Sequence, residues 1–119
     1  MVYGTAEAVE RFNLAFNAQD IDAVMEAMTA DCCFESTAPA PDGVRYSGAE
    51  QVRAYWLKFF AANPGARFET EEMIVAGERC IVRWVYRKNK QGLPWHLRGV
   101  DLFRIRDGKV SEKLSYVKG

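Results

Sequence analysis

Asp101 is the residue whose type and setting most invite chemistry. It lies in the stretch WHLRGVDLFRIR, where Trp95, Leu97, Gly99, Asp101, Phe103 and Ile105 alternate onto one side of an extended strand. His96, Arg98, Val100, Leu102, Arg104 and Arg106 share the other side. A carboxylate on an apolar side is costly unless it is paired. No cation shares its side of the strand, so Asp101 is expected to stay protonated. It could then donate a hydrogen bond to a substrate carbonyl and exchange a proton with it. The plainer alternative is a structural aspartate bonded to backbone or to Arg98 or Arg104, although both arginines project to the opposite face.

Other candidates carry less. His96 is the only histidine and points away from Asp101, which suits a surface or subunit contact. Ser36 and Ser115 could orient a ligand, but nothing near either in the sequence would activate a nucleophile. Cys32, Cys33 and Cys80 are odd in number and lack metal-ligand spacing, so they read as small buried thiols. There is no glycine-rich phosphate loop and no cluster of histidine, cysteine and carboxylate, so neither metal nor organic cofactor is expected.

These side chains must be held by elements that the sequence pattern announces. Apolar spacing predicts a helix over 5–17 with Thr5 as its cap, then a short helix capped by Asp20 that carries Ile21, Val24, Met25 and Met28. Residues 32–36 predict a short strand, and TAPAPDGVRYSG a loop. Val52, Tyr55, Trp56, Phe59 and Phe60 form the stripe of a third helix over 49–62, ended by Asn63-Pro64-Gly65. The period then changes to two, predicting strands over 67–76, 79–88, 95–106 and 109–117. Gly77-Glu78, a loop from Asn89 to Leu93 and Asp107-Gly108 separate them. Helices followed by antiparallel strands make an α+β domain, here one domain over 1–119.

Composition agrees with an ordinary globular domain: 119 residues, 49% hydrophobic and 27% charged. Sixteen basic and sixteen acidic residues give a formal net charge of zero, which argues against nucleic acid or an anionic membrane as partner. No apolar run approaches the ~20 residues of a membrane span, and the start MVYGTAEAVERF lacks a signal peptide's basic and apolar regions. A cytoplasmic protein is the expectation.

Two stretches carry a resemblance. Asp20-Ile21-Asp22-Ala23-Val24 through Ala30-Asp31-Cys32-Cys33-Phe34-Glu35, and Val100-Asp101-Leu102-Phe103-Arg104 through Asp107-Gly108-Lys109-Val110, resemble the SnoaL-like branch of the nuclear-transport-factor-2-like superfamily. The resemblance implies a cone-shaped fold of three N-terminal helices on a curved, mainly antiparallel sheet enclosing an apolar pocket. Ketosteroid isomerases of this superfamily use a base aspartate, a tyrosine and a second aspartate kept protonated by its apolar site. Aligned onto this chain, those positions fall on Ser36, Phe12 and Asp101. Only the last matches, so steroid isomerisation by that mechanism is not expected. The final stretch offers no carboxylate of the epoxide-hydrolase kind, and one histidine cannot form scytalone dehydratase's pair. The SnoaL-type polyketide cyclases need an apolar pocket and one acidic residue, which this chain has.

The resemblance also implies a pocket wall. Phe12, Phe16, Phe34, Trp56, Phe60, Trp84 and Tyr86 would form it, with Leu97, Phe103, Ser115 and Val117 from the last strands and Ser36 as a polar contact. Tyr86 could replace the hydroxyl missing at Phe12, and the Tyr46 loop would cover the mouth. Such a wall suits a small apolar or aromatic, even polycyclic, molecule. Three functions stay open: a cofactor-independent isomerase, cyclase or lyase using Asp101, a binding protein without turnover, and a dimeric scaffold. Ile81, Val85, Val100 and Leu102 on the outer sheet face lead to the expectation of a homodimer.

Overall fold

The computed structural model describes residues 3–119. Helix α1 (Thr5–Asn17) and the short α2 (Ile21–Glu26) are followed by strands β1 (Met28–Glu35) and β2 (Arg45–Ser47). Helix α3 (Ala49–Ala62) then precedes β3 (Arg67–Ala76), β4 (Arg79–Lys90), β5 (Leu93–Arg106) and β6 (Lys109–Val117). The strands make one sheet in the order β2-β1-β6-β5-β4-β3, with only the β1–β6 pair parallel. The α+β arrangement expected from the sequence is the one observed.

Local chemistry explains the boundaries, with four revisions. Asp20 caps α2 as expected, its Oδ1 accepting from the Ala23 amide at 3.2 Å. Gly4, not Thr5, caps α1. Its amide donates to Glu7 Oε1, while the Thr5 hydroxyl donates to the Gly77 carbonyl at 2.7 Å and ties α1 to the β3–β4 turn. Met28 opens β1 rather than closing α2, because Ala27 already caps that helix. The loop after β1 contains the edge strand β2. The expected Asn89–Leu93 loop is a two-residue turn at Gln91-Gly92, both at positive φ, which fits the twist of a β-hairpin.

The core lies between the helices and the inner face of the sheet. Val9, Phe12, Val24, Val52, Trp56, Val82 and Phe103 are at most 1% exposed. Each large apolar side chain so buried contributes about 1.5–3 kcal/mol. Phe12 joins the helices to the sheet, with ring centroids 5.6 Å from Trp56 and 5.7 Å from both Phe16 and Phe103.

One irregularity decides what the site contains. Downstream of the Asp107-Gly108 turn, Arg106 pairs with Lys109 and Ile105 with Val110, but Arg104 pairs with Glu112 rather than Ser111. Ser111 is the extra residue of a bulge, its hydroxyl donating to the Arg104 carbonyl at 3.1 Å. Without it, Lys113 would face Leu102 on the outside of the sheet. With it, Lys113 pairs with Phe103 and turns inward.

Candidate functional site

Strands β5 and β6 bring three polar side chains together on the inner face. Asp101 pairs across the strands with Ser115, and Lys113 lies two residues back on β6. The Lys113 ammonium donates to Ser115 Oγ at 2.9 Å, and that hydroxyl donates to Asp101 Oδ1 at 2.7 Å. Lys113 Nζ is also 3.4 Å from Asp101 Oδ2, with both side chains only 7% exposed. Two hydrogen bonds and this ion pair close the three into a ring inside an apolar core.

One premise of the expectation for Asp101 does not hold: a cation, Lys113, shares its face, turned inward by the Ser111 bulge. Neither arginine offered as a partner reaches it: Arg98 binds Glu71 and Arg104 binds Glu78 on the outer face. Burial pulls the Lys113 ammonium below its ordinary range, and the attraction of Asp101 only partly opposes this. The Phe34 and Phe16 rings, with centroids 4.8 and 5.6 Å from Nζ, add cation–π contacts.

The ring sits between two adjoining cavities, an inner and an outer lobe, whose linings share Phe16, Phe68, Trp84 and Lys113. The inner lobe, about 20 Å³, is lined by Phe12, Asn13, Phe16, Phe68, Thr70, Val82, Trp84, Asp101 and Lys113. The outer lobe, about 90 Å³, is lined by Phe16, Phe34, Thr37, Tyr55, Trp56, Phe59, Phe68, Trp84, Tyr86, Leu97, Lys113, Ser115 and Val117. Asp101 therefore fronts the inner lobe and Ser115 the outer, while Lys113 fronts both. The Trp84 indole N–H and the Tyr86 hydroxyl are buried on this wall without a hydrogen-bond partner. Buried polar groups are nearly always paired, so these two are the unmet contacts of the cavity. Burial pushes the Tyr86 hydroxyl up to about 12, so it is a donor at neutral pH.

The sequence-derived candidates divide. Phe12, Phe16, Phe34, Trp56, Trp84, Tyr86, Leu97, Ser115, Val117 and Asp101 line one lobe or both. Ser36, Phe60 and Phe103 do not. Ser36 Oγ donates to the Ala38 carbonyl and accepts from the Val44 amide, which closes its own loop. Phe60 packs against Phe16 at 4.9 Å, and Phe103 lies behind Phe12. His96 is exposed. The Tyr46 ring stacks on Phe34 and packs at a tilt against Tyr55, and it is Thr37 of that loop that reaches the cavity.

Lys113, Phe68, Tyr55 and Phe59 join the site without having been singled out from the sequence. Tyr55 and Phe59 were legible as part of the α3 stripe. Phe68 is placed by Asn17, which donates to its carbonyl and accepts from its amide, both at 2.8 Å. No sequence signal marks that clamp.

A helical layer over a curved, unclosed sheet places the chain in the NTF2-like α+β class. The profile of the SnoaL-like domain matches residues 9–113, and the chain belongs to that family. Among solved structures, an NTF2-like protein of unknown function from Mesorhizobium loti is 41% identical, covering 97% of this chain and 91% of its own, with a TM-score of 0.82. A protein from Catenulispora acidiphila with a ketosteroid isomerase-like fold, in complex with trimethylamine, is 20% identical over 94% of this chain and 85% of its own, with a TM-score of 0.81. A protein provisionally assigned as a polyketide cyclase, from Sinorhizobium meliloti, is 23% identical over 91% and 92%, with a TM-score of 0.75. The last two share the fold. No curated protein matches the sequence significantly.

Proposed function

We propose that this protein takes a small apolar carbonyl compound into the outer lobe and moves a proton on it, as a cofactor-independent isomerase, cyclase or lyase does. The observation that carries this is the Asp101–Ser115–Lys113 ring facing an aromatic cavity. A buried ion pair is often no more stabilising than apolar residues in its place. Its position at a cavity is therefore better explained by chemistry than by folding. A carbonyl oxygen in the outer lobe would accept from Lys113 or from the unpaired Tyr86 hydroxyl. Asp101 would remove the neighbouring C–H proton and return it at another position.

Volume narrows the substrate. An apolar cavity of about 150 Å³ holds a benzene. The outer lobe, near 90 Å³, suits one small ring or a branched chain, and a polycyclic compound would need it to widen.

A second reading rests on its own observation: both Asp101 oxygens are already engaged by protein groups. A binding protein would keep such a satisfied ring as a fixed recognition feature. Cyclopentanone in D₂O separates the two. Catalysed loss of its α-proton NMR signals, abolished in Asp101→Asn, supports proton transfer. Binding seen by tryptophan fluorescence, with exchange at the buffer rate, supports the binding protein instead.

A further inference from the structure

Lys113 stands apart from the other cations of this chain. Arg45, Arg53, Arg79, Arg83, Arg87, Arg98, Arg104 and Arg106 hold their partners on solvated faces. Among the lysines and arginines of the described residues, Lys113 alone is buried at a cavity, where it fronts both lobes together with the apolar Phe16, Phe68 and Trp84. A lysine desolvated in an apolar pocket is the form in which an amine acts as a nucleophile toward carbonyl carbon.

We infer that Lys113 Nζ forms an imine with the carbonyl compound bound in the outer lobe, with Asp101 and Ser115 carrying the protons. This rests on the reading of the cavity as a site for a small carbonyl compound, and adds a covalent step to it.

The ring supplies what that step needs. Asp101 Oδ2 lies 3.4 Å from Nζ and can take its proton directly, while the hydroxyl of Ser115 links Nζ to Oδ1 through contacts of 2.9 and 2.7 Å. Burial lowers the ammonium's hold on that proton. The neutral amine adds its lone pair to the carbonyl carbon, and the C=O π electrons move to oxygen. The proton leaving nitrogen passes to the oxygen, giving a carbinolamine. Proton return from Asp101 to the hydroxyl then expels it as water while the C=N bond forms, leaving a protonated imine beside the Asp101 carboxylate. Ammonium plus carbonyl gives protonated imine plus water, and no oxidant or reductant takes part. The ionisable groups facing Nζ across the cavity are Asp101 on β5, Tyr86 on β4 and Tyr55 on α3. The two phenols are held protonated by burial, so Asp101 is the group placed to accept a proton.

Reductive trapping tests this on the wild-type chain. The protein is incubated with cyclopentanone and sodium cyanoborohydride at neutral pH, and the adduct is located by peptide mass mapping. Exposed Lys58 and Lys109 are internal controls, since neither lines the cavity. Labelling of Lys113 about tenfold faster than either would establish the imine. The label should be absent in Lys113→Arg, and a competing non-reactive ligand, cyclopentane, should suppress it at Lys113 but not at Lys58. Equal labelling at all three lysines, or none at Lys113, overturns the inference. α-Proton exchange that persists without trapped Lys113 would leave the proton-transfer reading standing and reject only the covalent step. Loss of both, with no binding, would reject the two together.

Discussion

Lys113 and Asp101 form a pair whose members cannot be changed singly without cost. Lys113→Met should destabilise the protein by about 3–5 kcal/mol, because it leaves a buried carboxylate without its cation. Asp101→Asn with Lys113→Met should recover most of that loss in urea unfolding. A double variant no better than the single one would show that packing, not charge, is at stake. The pH dependence has a definite sign. Burial lowers the native proton affinity of Lys113, so below the ordinary value of 10.5 the unfolded chain binds that proton more tightly than the native one. Stability from this group therefore rises as pH climbs toward 10.5 and levels off above it. Cys32 and Tyr86 act in the opposite sense, pushed from 9.0 up to about 11 and from 10.0 up to about 12. The double variant lacks the lysine, so its stability relative to wild type should fall as pH climbs from neutral toward 10.5, and a constant difference would contradict the assignment. Tyr86 offers another test. Its hydroxyl is buried and unpartnered, so Tyr86→Phe should be neutral or stabilising by up to about 1 kcal/mol. The same change should weaken cyclopentanone binding about fivefold, and a clear loss of stability would mean the hydroxyl has a structural partner.

Strands β4, β5 and β6 set the cavity's shape through two backbone features. The Ser111 bulge places Lys113 inward. Gly99 on β5 makes room for Trp84: a Cβ there would lie 2.3 Å from the Tyr116 carbonyl oxygen and 2.5 Å from Trp84 Cζ2. Both neighbours would have to move, and one of them is backbone. Gly99→Ala should therefore cost about 1–3 kcal/mol, the usual range for overpacking. It should also drive the indole toward the cavity that Trp84 lines. The measurements are urea unfolding and tryptophan emission with and without cyclopentanone. Unchanged binding in a destabilised variant would show that the cavity wall tolerates the shift.

The whole molecule presents one feature that a lone domain does not need. Ile74, Ile81, Leu102 and Leu114 are successive cross-strand partners over β3, β4, β5 and β6. They form an aliphatic row on the outer face, with Ile74 50% and Ile81 38% exposed. Val85, expected in that surface from its sequence, is buried between Glu69 and Arg98 in the pairing of the sheet and does not belong to this row. A face of this kind is expected to cover a second copy of the sheet. Light scattering at micromolar concentration should give about twice the 13.5 kDa chain mass, and Ile81→Glu should shift it toward the single chain. A monomer in both cases would reject the pairing. Among the described residues, no helix is long and apolar enough to cross a membrane.

Periodicity was enough to place the three helices and the four long strands, since a 3.6-residue stripe and a two-residue alternation are properties of neighbouring residues alone. The same alternation put Asp101 on the inner face, where it is found 5% exposed. It also separated Asp101 from His96, and strong turn signals such as Asp107-Gly108 needed no tertiary information. The identity of Asp101's partner was not local. Counting forward from the Asp107-Gly108 turn in steps of two sends Lys113 outward, counting back from Ser115 and Val117 brings it inward, and the bulge that decides between them sits at an ordinary serine without any glycine or proline to announce it. Sequence alternation also cannot tell which aromatic residues fill space and which surround it. Phe60 and Phe103 became core, while Phe68 joined the cavity only because Asn17 clamps its backbone across 51 positions of the chain. The fold's periodic elements were therefore legible from residue types, whereas the charged ring and the cavity depended on contacts between distant strands, which only the folded chain brings within hydrogen-bonding range.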